Sequence, residues 1–459
     1  MDGAGMSRDD SVVNLDDMAQ TTTSRGSKGG HSPFDRRTTA WTPSSRAAQV
    51  FAQPLPAADK RLSYTMPGIM QEAPLGDPVG DLAKKHLGDV HAAVVRPSVE
   101  RSTDGLRRLI ASGNLRSAVD LTGILLAAYN QGFGKAHSPS KHTVESLELW
   151  CVRFQLLMAL KMNTLLHSEL ETFGDLEAPD MFFQYYPEIY PMKRGSMVPF
   201  SMRVIHAEAA KFTPNPSDAL TRLNKLIANI NAIMSNLSHG RWEDGSVGEL
   251  SDDDRLESEA LWKSRLNAVR QSMARTFFTI KEYHLASASL AQVCHSENCS
   301  LEEKSRIYSS LGRINLELGD QQQAAEWFQK CSEFVDPTNP AAKGVVIGHK
   351  AYQKMFYGNY AEAYELMLEA AAANDANVDI LNNAAVCLLY VGRLTDAIQL
   401  LEKALRDHPS IALNESVIIN LSTLYELATA RSAGRKHALL QMVLQARGDC
   451  FNAASLKLP

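Results

Sequence analysis

The chain has 459 residues, of which 44% are hydrophobic and 22% are charged. Its 47 basic and 52 acidic side chains give a formal net charge of -5, so no overall positive field attracts a phosphate backbone, and nucleic-acid binding is disfavoured. The six cysteines are scattered, and only Cys294 and Cys299 lie close together in sequence. Because a zinc site needs a second such pair, we expect reduced thiols, no metal and no other cofactor.

The chain begins with acidic residues where a secretory signal would carry basic ones, and no apolar segment follows them. Its most apolar runs, 121–129 and 384–391, are far shorter than the roughly 18 to 20 residues of a membrane span. We therefore predict a cytoplasmic protein without an integral membrane segment.

Residues 1–80 are rich in Pro, Gly, Ser and Thr and show no apolar periodicity. Such a segment cannot bury enough apolar surface to offset the ordering of its backbone, about 1 to 2 kcal/mol per residue. The sequence predicts a disordered tail here, with Trp41, Phe51 and Tyr64 as possible anchors for a partner.

Long amphipathic stretches begin at about residue 81, and no alternating strand pattern is present. Residues 81–238 are predicted as an N-terminal helical region with helices at 99–112, 115–129, 142–173, 198–211 and 217–238. An aromatic and proline-rich loop at 178–200 interrupts this region. A glycine-rich flexible loop follows at 239–251, and a helix is predicted at 252–281, after the capping residue Ser251.

Residues 252–459 contain an internal repeat that places a glycine five residues before an alanine. The pairs are Gly319 with Ala324, Gly358 with Ala363, and Gly392 with Ala397. A large apolar residue follows each alanine after four positions, and a small one after three more. Weaker copies occur at Gly113 with Ala118 and around Ala286. The spacing of 34 residues between Ala363 and Ala397 is that of a tetratricopeptide repeat, which the segment resembles.

The repeat has a direct physical interpretation. A glycine with positive φ ends the first helix of a pair, and the alanine allows the second helix to approach closely. We therefore predict an all-α fold, an α-solenoid of tetratricopeptide-type helical hairpins with a disordered N-terminal tail. Such solenoids present an extended surface to other chains.

No motif in the sequence supports catalysis. Gly132-Phe133-Gly134-Lys135 follows a helix and lacks the spacing of a phosphate-binding loop, and no zinc-protease, nucleophile-elbow or calcium-loop motif occurs. We predict that the protein is not an enzyme. One alternative is an enzyme whose site is built from residues that are scattered along the sequence and form no motif.

Several strings outside the repeat pattern resemble the twelfth-subunit family of the trafficking protein particle (TRAPP) complexes. They lie at 182–191, 194–203, 381–390 and 449–458, and the resemblance covers roughly residues 95–459. It implies a non-catalytic scaffold subunit of a vesicle-tethering complex that acts in transport from the endoplasmic reticulum to the Golgi. The implied partners are the other TRAPP subunits and, indirectly, a Rab-family GTPase, with peripheral localisation at the ER-Golgi intermediate compartment and the Golgi.

The main alternative is a tetratricopeptide adaptor that binds peptides, as co-chaperones do. Such adaptors share a carboxylate clamp, formed by Lys and Asn at the fifth and ninth positions of the first helix in the repeat register. Here these positions hold Ser309 with Arg313, Gly348 with Tyr352, and Asn382 with Val386. The residues of the clamp are absent.

First helices of successive tetratricopeptide hairpins line a groove, and Tyr and Arg are frequent interface anchors. The aromatic residues at these positions could instead pack between repeats. The register of the repeat predicts a partner groove composed of Arg306, Arg313, Tyr352, Phe356, Asn382 and Tyr390.

Overall fold

The structure, a computed structural model, describes residues 33–88, 97–296, 299–336, 338–374 and 377–458. In these residues it contains twenty α-helices, short 3-10 turns and two isolated β-bridges, but no strand. No helix in the described ranges is long and apolar enough to cross a bilayer. The predicted all-α fold is confirmed.

The helices are numbered here in chain order. They are α1 (Pro33–Thr39), α2 (Ser45–Phe51), α3 (Pro78–Leu87), α4 (Thr103–Ala111), α5 (Leu115–Leu126), α6 (Val144–Ala159), α7 (Asn163–Phe173), α8 (Phe200–Ala209), α9 (Ser217–Ser238), α10 (Asp252–Thr279), α11 (Tyr283–Cys294), α12 (Leu301–Glu317), α13 (Gln321–Glu333), α14 (Pro340–Phe356), α15 (Tyr360–Ala373), α16 (Val378–Tyr390), α17 (Leu394–Asp407), α18 (Pro409–Ala412), α19 (Glu415–Ala428) and α20 (Ala433–Ala446).

The three predicted repeats are helical hairpins, formed by α12 with α13, α14 with α15, and α16 with α17. Gly319, Gly358 and Gly392 have φ values of 81°, 76° and 85°. The alanine five residues after each glycine is completely buried. Both features of the repeat, the positive φ and the close helix contact, are confirmed.

The same turn occurs in three further hairpins, two of which have no glycine. Lys161 between α6 and α7 and Lys281 between α10 and α11 adopt φ values of 56° and 65°, and Gly113 between α4 and α5 adopts 71°. In each, the amide after the turn residue donates to a carbonyl five positions before it, as in Met162 to Leu157 at 2.9 Å. The single helix predicted over 142–173 is therefore wrong, because the turn at Lys161 divides it.

Replacing Lys281 by glycine is expected to stabilise the protein. The left-handed conformation costs a residue with a Cβ atom about 1 kcal/mol, and glycine adopts it without this cost. The free energy of unfolding from a urea titration measures the gain. Lys403→Gly, in the middle of α17, is the matched control and should lower that free energy by about 1 kcal/mol. If both changes lower it equally, the role of the turn is refuted.

Residues 33–88 form an N-terminal strap that contacts α10 near its start and α20 near its end. Their central part, between α2 and α3, has little regular structure, and its backbone amides bind side-chain carboxylates from distant segments. Asp180 accepts hydrogen bonds from the amides of Tyr64 and Thr65 at 2.9 Å. Glu169 accepts from Met70 at 3.2 Å, and Asp120 from Leu75 at 3.0 Å. The strap thus satisfies its backbone donors without a helix or a sheet.

The prediction of a disordered tail is therefore wrong for residues 33–80, and residues 1–32 lie outside the described part of the chain. The three aromatic residues considered as partner anchors pack within the molecule instead. Trp41 is 4% exposed and donates to the carboxylate of Glu177 at 2.8 Å. Phe51 contacts Phe182, and Tyr64 contacts Tyr185, with ring centroids 5.7 and 5.9 Å apart.

The aromatic loop at 178–200 is the surface that receives the strap. Two 3-10 turns, Pro179–Met181 and Phe183–Tyr185, keep it compact, and four of its rings are buried, those of Phe182, Phe183, Tyr185 and Tyr186. The loop at 239–251, expected to be flexible, contains Glu243, which is 1% exposed and accepts from Ser258 at 2.6 Å. The largest apolar core includes both Trp41 and Trp262, so it crosses the predicted boundaries at 80 and 251.

Residues after α20 contact the first hairpin, α4 with α5, and we call this contact the closure. Asp449 accepts hydrogen bonds from the amides of Arg116 and Ser117, both at 2.9 Å, and is 2% exposed. It caps α5, whose own N-cap residue Asn114 makes no side-chain capping bond. Gly448 packs against the backbone of Gly113, and an added Cβ at position 448 would be 2.1 Å from the carbonyl oxygen of Gly113. Helix α3 of the strap covers α20 beside this closure.

Asp449→Ala is expected to lower the free energy of unfolding by about 2 kcal/mol. The change leaves two backbone amides at the start of α5 without their charged acceptor, inside a buried contact. Thermal unfolding followed by circular dichroism measures the loss. Asp407→Ala, at an exposed site, is the control and should be near neutral. Equal melting temperatures for the two variants would contradict this closure.

Candidate partner-binding groove

The first helices of the last four hairpins, α12, α14, α16 and α19, are joined by polar contacts between their side chains. Ser309 Oγ and His349 Nε2 are 2.8 Å apart, which links α12 to α14. The side chain of Asn383 on α16 lies close enough to the Tyr352 hydroxyl on α14 to oppose the rise in pKa that burial causes there, which brings these two helices together. Asn420 donates to Asn382 at 3.0 Å, which links α16 to α19. We call the surface that these helices share the first-helix face.

Arg313 and Tyr352, both predicted groove residues, come together on this face around His349. Burial lowers the pKa of His349 to about 3, and the positive charge of Arg313 acts in the same direction, so the imidazole is neutral at pH 7. Burial also raises the pKa of Tyr352, with Arg313 acting against it. The only hydrogen bond of the Arg313 guanidinium to a described residue is to Ser310 Oγ, at 3.3 Å.

The Nε of Arg313 and the Nδ1 of His349 are buried and have no hydrogen-bond partner among the described residues. The ring of His349 stacks on Phe328 with centroids 4.3 Å apart, which holds it in place. No described carboxylate forms an ion pair with Arg313. The first-helix face therefore contains a half-buried arginine that no described carboxylate pairs with.

Phe356 and Tyr390 lie at the C-terminal ends of α14 and α16, where they are 42% and 54% exposed. Tyr390 stacks on Tyr360 of α15, with centroids 4.4 Å apart and planes at 10°. Tyr357 and Val391, which follow Phe356 and Tyr390 in the chain, are 58% and 44% exposed. Tyr390 thus packs between two repeats on one side of its ring, as the alternative predicted, and the ring is otherwise exposed.

The remaining two predicted residues occupy different settings. Arg306 is exposed, and its charge is paired with Glu302 one turn earlier on the same helix, at 2.5 Å. Asn382 is half-buried and engaged with Asn420. The sequence prediction missed Ser309, His349 and Asn383 as members of this face. Ser309 lies four residues before the predicted groove residue Arg313 on the same helix, so the helical period alone could have included it.

Metal binding and thiol reactivity are two further functions that side chains of the described residues could serve. These residues include no group of three or more His, Cys, Asp or Glu side chains that could hold a metal ion. Burial raises the pKa of the thiols of Cys151 and Cys387 to about 11, so both are protonated and unreactive at neutral pH.

A known family model matches the repeat architecture. The tetratricopeptide repeat family model matches residues 355–410, which contain the hairpin turns at Gly358 and Gly392. Among solved structures, one of a MamA double mutant is 16% identical, with a TM-score of 0.26, and the match covers 39% of this chain and 94% of that chain.

Two curated relatives match nearly the whole chain. They are the trafficking protein particle complex subunit 12 of Mus musculus and of Homo sapiens, each 39% identical over 438 residues, or 93% of this chain. The chain belongs to the trafficking protein particle complex subunit 12 family. It spans 54% of the mouse protein and 59% of the human protein.

Two of the sequence segments that resemble this family have structural roles in the present chain. The string at 182–191 lies in the aromatic loop, where Phe182 and Tyr185 meet the rings of the strap. The string at 449–458 begins with Asp449, the residue that closes the series of helices onto α5. Both strings therefore serve contacts between distant segments, which explains why they lie outside the repeat pattern.

Proposed function

We propose that this protein is a non-catalytic scaffold subunit of a TRAPP-type vesicle-tethering complex in transport from the endoplasmic reticulum to the Golgi. The observation that carries the proposal is the 39% identity to curated TRAPP subunit 12 proteins over 93% of the chain. The protein would be peripheral at the ER-Golgi intermediate compartment and the Golgi, through the complex. It would contribute to exchange on a Rab-family GTPase only indirectly.

The partner surface in this proposal is the first-helix face. A protein interface favours Tyr, Phe and Arg anchors surrounded by polar contacts, and this face offers both. The residues assigned to it are Arg306, Arg313, Tyr352, Phe356, Asn382 and Tyr390.

Affinity purification of the tagged full chain from cells tests the proposal. We expect the other TRAPP subunits in near-stoichiometric amounts and slower exit of cargo from the endoplasmic reticulum after depletion. The isolated chain should not accelerate nucleotide release from a Rab-family GTPase, whereas the complete complex, as the positive control, should. Recovery of chaperones alone, with normal secretion, would replace this proposal by the co-chaperone adaptor, and exchange by the isolated chain would refute the scaffold role.

A further inference from the structure

Arg313 is a half-buried cation of the first-helix face that forms no ion pair with a described residue. Three other basic side chains of the same hairpins do form ion pairs: Arg306 with Glu302, Lys354 with Glu362, and Arg393 with Asp396 at 2.6 Å. The side chains that the structure places near Arg313 are those of Ser310, His349 and Tyr352, which are neutral hydrogen-bonding groups. The carboxylate of Asp379 on α16 also acts on the pKa of Tyr352, but it forms no ion pair with Arg313.

We propose that Arg313 binds a single side-chain carboxylate, from an Asp or Glu in a segment of a partner subunit that lies along the first-helix face. The inference rests on the proposed function, because it names the chemistry of the partner at that surface. An arginine offers five N–H donors in a planar fork that suits a carboxylate, and the structure pairs one of them.

The charge at the site selects a carboxylate over a phosphorylated residue. One unpaired guanidinium balances one negative charge, whereas a phosphate carries about -1.5 to -2 at neutral pH and requires further cations. Since His349 stays neutral and no other basic side chain is among the identified neighbours of Arg313, its described surroundings add no second positive charge. A lone acidic side chain is therefore the matching ligand.

The exposed aromatics indicate what flanks that acid. Phe356 and Tyr390 lie at the C-terminal ends of their helices, and Ile419 of α19 is 41% exposed. An exposed apolar patch beside polar groups is typical of an interaction site. We infer that apolar side chains of the same partner segment cover Phe356 and Tyr390 while its carboxylate pairs with Arg313.

Photo-crosslinking within the assembled complex tests the inference. A photoreactive phenylalanine derivative replaces Tyr390 on the first-helix face, and in a second protein it replaces the exposed Lys403 of α17 as a control. Mass spectrometry of the complex purified from cells identifies the crosslinked peptides. We expect the derivative at position 390 to capture one partner segment that contains an unmodified Asp or Glu, and the derivative at position 403 not to capture it.

Arg313→Glu should then reduce the yield of the position-390 crosslink about tenfold or more, because it sets two carboxylates against each other. Arg406→Glu, an exposed site on α17, is the matched charge reversal and should leave the yield unchanged. Reversing the captured acid to Lys should restore the crosslink to the Arg313→Glu protein.

Three results would overturn the inference: no crosslink at position 390 in an assembled complex, an unchanged yield with Arg313→Glu, or a captured segment that is phosphorylated at the contact. These outcomes are distinct from failure of the proposed function, in which no TRAPP subunit is recovered with the unmodified chain. Circular dichroism of Arg313→Glu confirms that the variant is folded.

Discussion

A chain that lacks residues 1–88 is expected to be insoluble or to lose its cooperative thermal transition. The deletion removes Trp41, Ile69 and Val79, each at most 4% exposed, from apolar cores at different places in the molecule. Burial of one large apolar side chain contributes about 1.5 to 3 kcal/mol, so the loss is on the order of 5 kcal/mol or more. That is comparable with the whole stability of a typical protein, about 5 to 15 kcal/mol.

The deletion also leaves carboxylates without their donors. Asp180 is 1% exposed in the intact chain and accepts hydrogen bonds from the amides of Tyr64 and Thr65 of the strap, and the deletion removes both donors. A deletion of residues 1–32 alone retains every contact described here and is the matched control. Solubility and melting temperature measure the effect, and equal melting temperatures for the two deletions would contradict the role of the strap.

A single substitution tests the strap without a deletion. Trp41→Ala should lower the free energy of unfolding by about 3 to 5 kcal/mol, because it leaves a cavity beside Trp262 and Phe200. Leu62→Ala is the control in the same segment, since Leu62 is 69% exposed, and it should change that free energy by less than about 0.5 kcal/mol.

Arg153→Met is expected to destabilise the protein by about 3 to 5 kcal/mol, the usual consequence of removing one partner of a buried ion pair. Arg153 and Glu169 are both completely buried, and their side chains form two hydrogen bonds at 2.7 and 2.8 Å. Arg153 also donates to the carbonyl of Val119 and to the side-chain oxygen of Gln71 in the strap. Its loss leaves Glu169 charged and unpaired in the core.

A double variant separates the lost charge balance from the lost packing. Arg153→Met combined with Glu169→Gln removes both charges, and we expect it to be more stable than Arg153→Met alone, because no unpaired ion remains. Arg107→Met, which breaks an exposed ion pair with Asp104, is the control and should cost less than about 1 kcal/mol. Urea titration of the four proteins measures the effects, and a double variant less stable than the single one would show that packing dominates.

The hairpins could be predicted from the sequence because their determinants are local. Gly392 ends one helix and Ala397 packs the next helix against it, and these two helices are neighbours in the chain. The two residues therefore recur at a fixed spacing that can be read in the sequence. The turn at Lys161 escaped prediction, because a lysine gives no sign that its backbone is left-handed. The side chains on each first helix could likewise be assigned to a face, but not their partners, such as Asn420 for Asn382.

The strap and the closure were decided by the tertiary structure. Asp180 holds Thr65 from 115 positions away, and Asp449 caps α5 from 333 positions away. An extended segment whose amides bind distant carboxylates needs no apolar periodicity, so its sequence resembles that of a disordered tail. By itself, the sequence determined the helices and the spacing of most turns, because these depend on neighbouring residues. Only the tertiary structure could bring the donors of the strap to their distant acceptors.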